Sequence, residues 1–210
     1  MRVAVVDIGM GNVGSVANMV RKVGGQADLV ERPADLAGAE RVILPGVGAF
    51  DEAMARLHDR GFVTVLDEVV ASDRVPVLGI CLGMQLLADS SEEGVRPGLG
   101  WIPGTVERIP ADGPAGPVKV PHMGWSRVVA RQAHPLVADL APDARFYFVH
   151  SYAYRPASDA DTLLLARYGG RPVVAGVARG HVMGVQFHPE KSHRHGMALV
   201  RSFLALGARP

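Results

Sequence analysis

Little in this sequence points to an exported, membrane-bound or nucleic-acid-binding protein. It has a single cysteine in 210 residues, so no internal disulfide can form, which fits a reducing cytoplasm. Its 22 basic and 21 acidic side chains leave a formal charge of +1. The two signs are interspersed, and no basic tract of the kind that grips a phosphate backbone is present. No apolar run approaches the length of a membrane span, and the apolar stretch within residues 1–7 is too short for a signal peptide. There is no internal repeat, low-complexity segment or long linker, so one domain over residues 1–210 is expected. Hydrophobic residues make up 48% of the chain and charged residues 20%, which is ordinary for a soluble globular protein. The length is enough for one well-filled α/β core.

The lone cysteine lies in Gly79-Ile80-Cys81-Leu82-Gly83. The segment before it, 75–80, is almost wholly apolar and reads as a buried parallel strand. The segment after it, 84–88, consists of good helix formers. This is the thiol form of the nucleophile elbow, a strand that turns abruptly into a helix. Glycines flank the nucleophile because side chains would clash in so tight a turn. A helix N-terminus beneath the sulfur favours the thiolate. Taken alone, the motif also accommodates a small buried core cysteine.

A second motif, Gln186-Phe187-His188-Pro189-Glu190, changes the balance. The alternating strand 182–187 delivers His188 at its C-terminal end, and Pro189 holds that residue extended. On an extended segment, side chains two apart point the same way, so Glu190 is expected beside His188. A histidine held by a carboxylate is the geometry of an oriented base. Cys81, His188 and Glu190 therefore read as a catalytic triad.

Strands are predicted near 2–7, 27–30, 41–44 and 75–80, with helices near 12–24 and 50–72, the pattern of a parallel sheet covered on both faces. Helical periodicity stops between 95 and 155, where short strands are broken by a Gly- and Pro-rich turn at 111–117. Strands near 162–167, 172–177 and 181–187 precede a closing helix from 193 to 206. The expected fold is α/β, with a mixed, mostly parallel sheet and a β-rich second half.

Two glycine-rich loops follow predicted strands. Gly9-Met10-Gly11-Asn12-Val13-Gly14 matches the dinucleotide fingerprint G-x-G-x-x-G, and Glu31 lies near the place of a ribose-binding carboxylate. Asp7, just ahead of the glycines, would set a negative charge near the diphosphate, and a dinucleotide site leaves the triad unused. Pro45-Gly46-Val47-Gly48 opens on the same sheet edge as the elbow. Acyl transfer needs two donors at the developing oxyanion; the Leu82 N–H is one, and a backbone N–H at Val47 or Gly48 is the second. Gly46 tolerates either orientation of the peptide that follows it, so the Val47 donor can be switched.

With these residues in view, the chain resembles the class I (triad) glutamine amidotransferase family over essentially its whole length. The elbow through Gln85 and the His188-Pro189-Glu190 tail carry the resemblance. Within the family it is similar to glutaminase subunits of histidine biosynthesis, through Asp7-Ile8-Gly9-Met10-Gly11-Asn12, Pro45-Gly46-Val47-Gly48-Ala49-Phe50, Val120-Pro121-His122-Met123-Gly124-Trp125 and Tyr147-Phe148-Val149-His150-Ser151-Tyr152. Val47 stands where other branches usually carry a second glycine, Ile8 where an aromatic is common and Ser126 where Asn is common. The resemblance implies a flavodoxin-like domain that hydrolyses L-glutamine to glutamate and ammonia, without metal or organic cofactor. It implies substrate contacts from Gly46, Gly48, Gln85, Glu93, Ser151 and Tyr152. It also implies a (β/α)8-barrel cyclase subunit as heterodimer partner, met by Asn12, Met123, Trp125, Tyr147 and Lys191. From the residues alone, Glu93 is equally a solvated loop charge, and His193-x-His195 is a polar helix start rather than a metal pair.

Overall fold

A computed structural model describes residues 1–114 and 116–207. The first half alternates strand and helix: β1 (Arg2–Val6), α1 (Val13–Lys22), β2 (Gln26–Val30), β3 (Arg41–Gly46), α2 (Phe50–Asp59), α3 (Phe62–Ala71) and β4 (Val77–Cys81). A single helical turn, α4 (Leu82–Gln85), follows the cysteine. Next come β5 (Ser90–Ser91), β6 (Gly104–Arg108), a small hairpin of β7 (Asp112–Gly113) and β8 (Gly116–Pro117), β9 (His122–Ala130), β10 (Arg145–His150) and β11 (Tyr152–Pro156). The chain closes with β12 (Thr162–Tyr168), β13 (Arg171–Arg179), β14 (Val182–Val185) and α5 (His193–Ala205). The Gly- and Pro-rich turn is the hairpin β7–β8, although Ala115 at its tip lies outside the described residues.

Nine strands form one sheet in the order β10-β9-β12-β13-β14-β4-β3-β1-β2. The run β2, β1, β3, β4, β14 is parallel; its order is that of a flavodoxin-like sheet. From β14 outward the pairings through β13, β12, β9 and β10 are antiparallel. Past Arg2 and Arg41 the inner parallel strands are apolar because both faces are covered, whereas the edge strand β2 carries the exposed Gln26 and Asp28. Val3 and Val5 point into a core shared with α1 and α5, through Val16, Val20, Leu199 and Phe203. Ala4 and Val6 face the opposite way, onto α2 and α3 through Phe50, Leu57, Phe62 and Leu66. No helix of the described residues is long and apolar enough to cross a membrane.

Three local expectations change. The elbow helix is one turn rather than a helix reaching 88, because residues 86–88 bend away with Leu87 and Ala88 packed under Ile102 and Tyr154. A single turn offers the thiol little of the dipole of a long helix, and the Cys81 side chain makes no capping hydrogen bond to it. The last strand ends at Val185, since its parallel partner β4 pairs only to Ile80 before turning. His188 instead makes a lone antiparallel bridge to Tyr147, its N–H donating to the Tyr147 carbonyl at 2.9 Å. Lastly, residues 189–191 form a 3-10 turn rather than an extended segment, because Pro189 starts the turn and the Lys191 N–H bonds back to the His188 carbonyl.

Candidate active site

The elbow places Cys81 at φ +55° and ψ −110°, a conformation that L side chains rarely adopt and that the surrounding backbone must enforce. Two glycines make the turn possible. A Cβ on Gly83 would sit 1.8 Å from the Leu44 carbonyl oxygen of β3, and one on Gly79 would sit 2.5 Å from the Gly83 carbonyl oxygen. The register of β3 against β4 pairs Gly46 with Cys81, so the 46–48 loop lies beside the nucleophile. A Cβ on Gly46 would press the Leu82 Cβ at 3.1 Å, so that glycine is needed for close packing.

Cys81, Leu82, Val47, Gly48, Gln85, Glu93, His150, Ser151, Tyr152, His188 and Lys191 all line one cavity of about 330 Å³. The triad and substrate residues expected from sequence therefore converge, apart from Glu190, which stands behind His188, and Gly46, which packs beneath the loop. Glu93 is more than a solvated charge: its Oε2 accepts the Phe50 N–H at 2.9 Å and fastens the start of α2.

His188 Nδ1 lies 2.8 Å from Glu190 Oε1, and both side chains are buried. Since a carboxylate only accepts, Nδ1 carries the proton. Nε2 is buried with no hydrogen-bond partner among the described residues, free for chemistry. Burial alone would lower the His188 pKa, but interaction with Cys81 and Glu190 outweighs it and pushes the value up to about 9. At neutral pH the ring is an imidazolium, ready to donate a proton. Ser192, fully buried, holds this arm: its hydroxyl donates to the His188 carbonyl at 2.6 Å and accepts the Tyr147 N–H at 3.0 Å.

Beneath the cavity runs a hydrogen-bonded network that sequence reasoning missed. Tyr152 offers a backbone carbonyl, which can only accept. It receives His150 Nδ1–H at 2.8 Å and Gln85 Nε2–H at 3.1 Å, filling both lone pairs. His150 Nε2 then accepts from His122 Nδ1 at 3.0 Å, and His122 Nε2 accepts the Ser126 hydroxyl at 2.8 Å. Burial holds both rings neutral, pushing His122 down to about 4 and His150 to about 3, as this one-way chain requires. The signal was in the sequence as polar residues inside strand-like apolar runs, although nothing there showed that they meet.

Of the expected partner residues, Lys191 lines the cavity, and Met123, Trp125 and Tyr147 lie on the paired strands β9 and β10. Met123, Trp125 and Val47 are 60%, 45% and 41% exposed, large for apolar side chains. Trp125 meets Tyr147 edge-on at 6.1 Å and stacks on His193 at 5.5 Å, and Lys191 lies over the Tyr147 ring at 5.8 Å. Asn12 is exposed at the start of α1, without a side-chain cap. The neighbouring glycine loop is closed by the chain itself: Asp7 accepts the Gly9 N–H, and Arg56 donates to the Ile8 and Gly9 carbonyls. An amide already spent on Asp7 is not available to a diphosphate.

Comparison with known proteins agrees with this geometry. The family model described as glutamine amidotransferase class-I matches residues 4–206. The imidazole glycerol phosphate synthase subunit HisH 2 of Pseudomonas aeruginosa is 47% identical over 97% of this chain and 99% of its own. A subunit HisH of Bdellovibrio bacteriovorus is 46% identical over 96% and 98%. Among solved structures, PurLQS from Thermotoga maritima superposes with a TM-score of 0.73 at 19% identity, covering 97% of each chain; a likeness at that identity speaks for the fold. With an elbow cysteine facing a histidine–carboxylate pair and a family match across nearly its whole length, the chain belongs to the class-I glutamine amidotransferase family.

Proposed function

We propose that this chain is the glutaminase subunit of an imidazole glycerol phosphate synthase, acting as one domain in the cytoplasm. It hydrolyses L-glutamine and passes the ammonia to a (β/α)8-barrel cyclase subunit in histidine biosynthesis. The observation that carries the reading is the strained Cys81 set beside the 46–48 loop and sharing one cavity with His188, in a chain 47% identical to an imidazole glycerol phosphate synthase subunit HisH 2.

In this mechanism the Cys81 thiolate attacks the carboxamide carbon, and the carbonyl π-electrons move onto oxygen. The N–H groups of Leu82 and Val47 hold that oxyanion. As the C–N bond breaks, the His188 imidazolium gives its Nε2 proton to the departing nitrogen, and ammonia and a thioester result. The now neutral imidazole takes a proton from water, whose oxygen attacks the thioester. Collapse of the second tetrahedral adduct releases glutamate and returns the thiolate. Glu190 keeps Nδ1 protonated and the ring aimed.

Gln85 has both amide hydrogens committed, to the Tyr152 carbonyl and to Gln186 Oε1. Its own oxygen remains to accept from the ammonium of the substrate, alongside the free oxygen of Glu93. Gly48 lets the loop approach. The Tyr152 carbonyl is already filled, so the 151–152 segment serves the substrate through the Ser151 backbone.

The exposed rim of Met123 and Trp125, with Asn12, Tyr147 and Lys191, is the docking face for the cyclase. Aromatic and Met side chains suit the core of such an interface. A partner seated there would cover the cavity mouth and keep ammonia from bulk water. Cys81→Ser should abolish glutamate release while leaving the thermal unfolding curve in place; turnover near that of the unaltered protein would remove the mechanism. Co-purification with a barrel cyclase tests the assignment of the acceptor, and a different ammonia-dependent synthase in its place would correct it.

A further inference from the structure

Gln186 is fully buried at the bend between β14 and His188. Its side-chain orientation follows from the carbonyl of Tyr152, two hydrogen bonds away. That carbonyl accepts, so Gln85 turns its NH₂ toward it. The second hydrogen on the same nitrogen faces Gln186 at 3.1 Å, so Gln186 must present its oxygen there. Its own NH₂ is thereby directed at the Cys81 sulfur, 3.8 Å away. Each step is forced by donor and acceptor capacity alone. His150, donating to the same carbonyl, leaves it no free lone pair and no alternative arrangement.

We propose that Gln186 is a further catalytic residue, whose side-chain amide donates to the Cys81 sulfur and stabilises the thiolate that attacks the substrate. This rests on Cys81 being the nucleophile. A sulfur is a weak acceptor as a thiol and a stronger one as a thiolate, so the contact favours the charged form. Gln186 follows β14 and the 46–48 loop follows β3, strands that flank β4 on opposite sides, so this donor does not compete with the oxyanion donors. The titratable groups around the sulfur are His188, with Glu190 behind it, and His150, Glu93 and Lys191 along the cavity wall. Gln186 itself carries no titratable group, so its contribution does not switch with pH.

The test is alkylation of Cys81 by iodoacetamide as a function of pH, without substrate, on Gln186→Met and Gln186→Glu. Methionine conserves volume and removes the donor; glutamate keeps an acceptor for Gln85 and turns a carboxylate toward the sulfur. The half-maximal pH of alkylation should rise by about one unit in the Met variant, a tenfold loss of thiolate, and by more in the Glu variant. The kcat for glutamine should fall about tenfold with the Met variant, and KM should change less. Profiles of folded variants that superpose on the unaltered protein overturn the proposal. If neither variant folds, selective ¹⁵N labelling decides: the Gln186 side-chain resonance should move when Cys81 is alkylated, and an unmoved resonance is refuting. Because alkylation needs no turnover, failure here leaves the glutaminase reading standing. A protein whose thiol responds as described but which releases no glutamate keeps the proposal and removes that reading.

Discussion

Glu190→Gln tests how the triad holds its charge. In the folded protein the His188 imidazolium persists up to about pH 9 against an ordinary 6.5. That is a net preference of roughly 3 kcal/mol for the charged ring, supplied by Cys81 and Glu190 against the opposing cost of burial. Both side chains of the His188–Glu190 pair are within 3% of full burial, so solvent does not screen it. Glutamine preserves the shape at 2.8 Å from Nδ1 but removes the charge, and its amide can turn an N–H toward Nδ1 and select the wrong tautomer. In a serine triad the equivalent neutralisation costs about 10⁴ in kcat. Here a fall of roughly 10² to 10⁴ is expected, with KM little affected because Glu190 does not line the cavity. The sign of the pH effect follows from the raised value. Below about 9 the ring carries the proton that leaves with ammonia. Raising the pH through that value removes the proton, so activity falls on the alkaline side. In the variant the alkaline limb should shift down toward neutrality. Glutamate release across the pH range gives the profile, and NMR titration of the His188 ring gives the pKa directly. A variant within about threefold of the original kcat, with His188 still titrating near 9, would mean that Cys81 alone holds the charge and Glu190 is only scaffolding.

Two further changes probe the frame and the rim. Gly83→Ala drives a methyl to 1.8 Å from the Leu44 carbonyl oxygen, backbone against backbone, so one strand must shift. A cost of about 3 kcal/mol should lower the melting temperature by roughly 6–12 °C and displace the Leu82 N–H; a variant with unchanged melting and kcat would show that the elbow is not tightly packed on β3. Trp125→Ala removes an exposed ring that supports Tyr147 and His193. It should weaken binding of the cyclase by about 2 kcal/mol or more if the ring is an interface anchor, with stability and the alkylation rate of Cys81 unchanged. Calorimetry with the partner reads the difference, and equal affinities would move the docking face elsewhere.

The strand pattern, the elbow and the His188 tail could be read along the chain because each is written in local chemistry. Apolar runs mark the buried parallel strands. Glycines at 79 and 83 mark a turn where any Cβ collides, and proline at 189 marks the end of a ladder. Their mutual placement was also within reach, since parallel strands open their loops on one edge. The length of α4 was not: good helix formers at 84–88 gave way to packing under Ile102 and Tyr154, a contact with residues far along the chain. Nor was the 3-10 turn at 189–191, where a short-range hydrogen bond replaced the extended geometry that periodicity suggested.

The polar network beneath the cavity belonged wholly to tertiary structure. Ser126 and His122 come from β9, His150 from the end of β10, Tyr152 from β11, Gln85 from the elbow turn and Gln186 from the bend after β14. No spacing in sequence announces that six residues over a hundred positions share one chain of hydrogen bonds. Residue type told which groups could donate or accept. Only the fold, by burying them together away from water, decided with whom, because a buried polar group must find its partner within the protein.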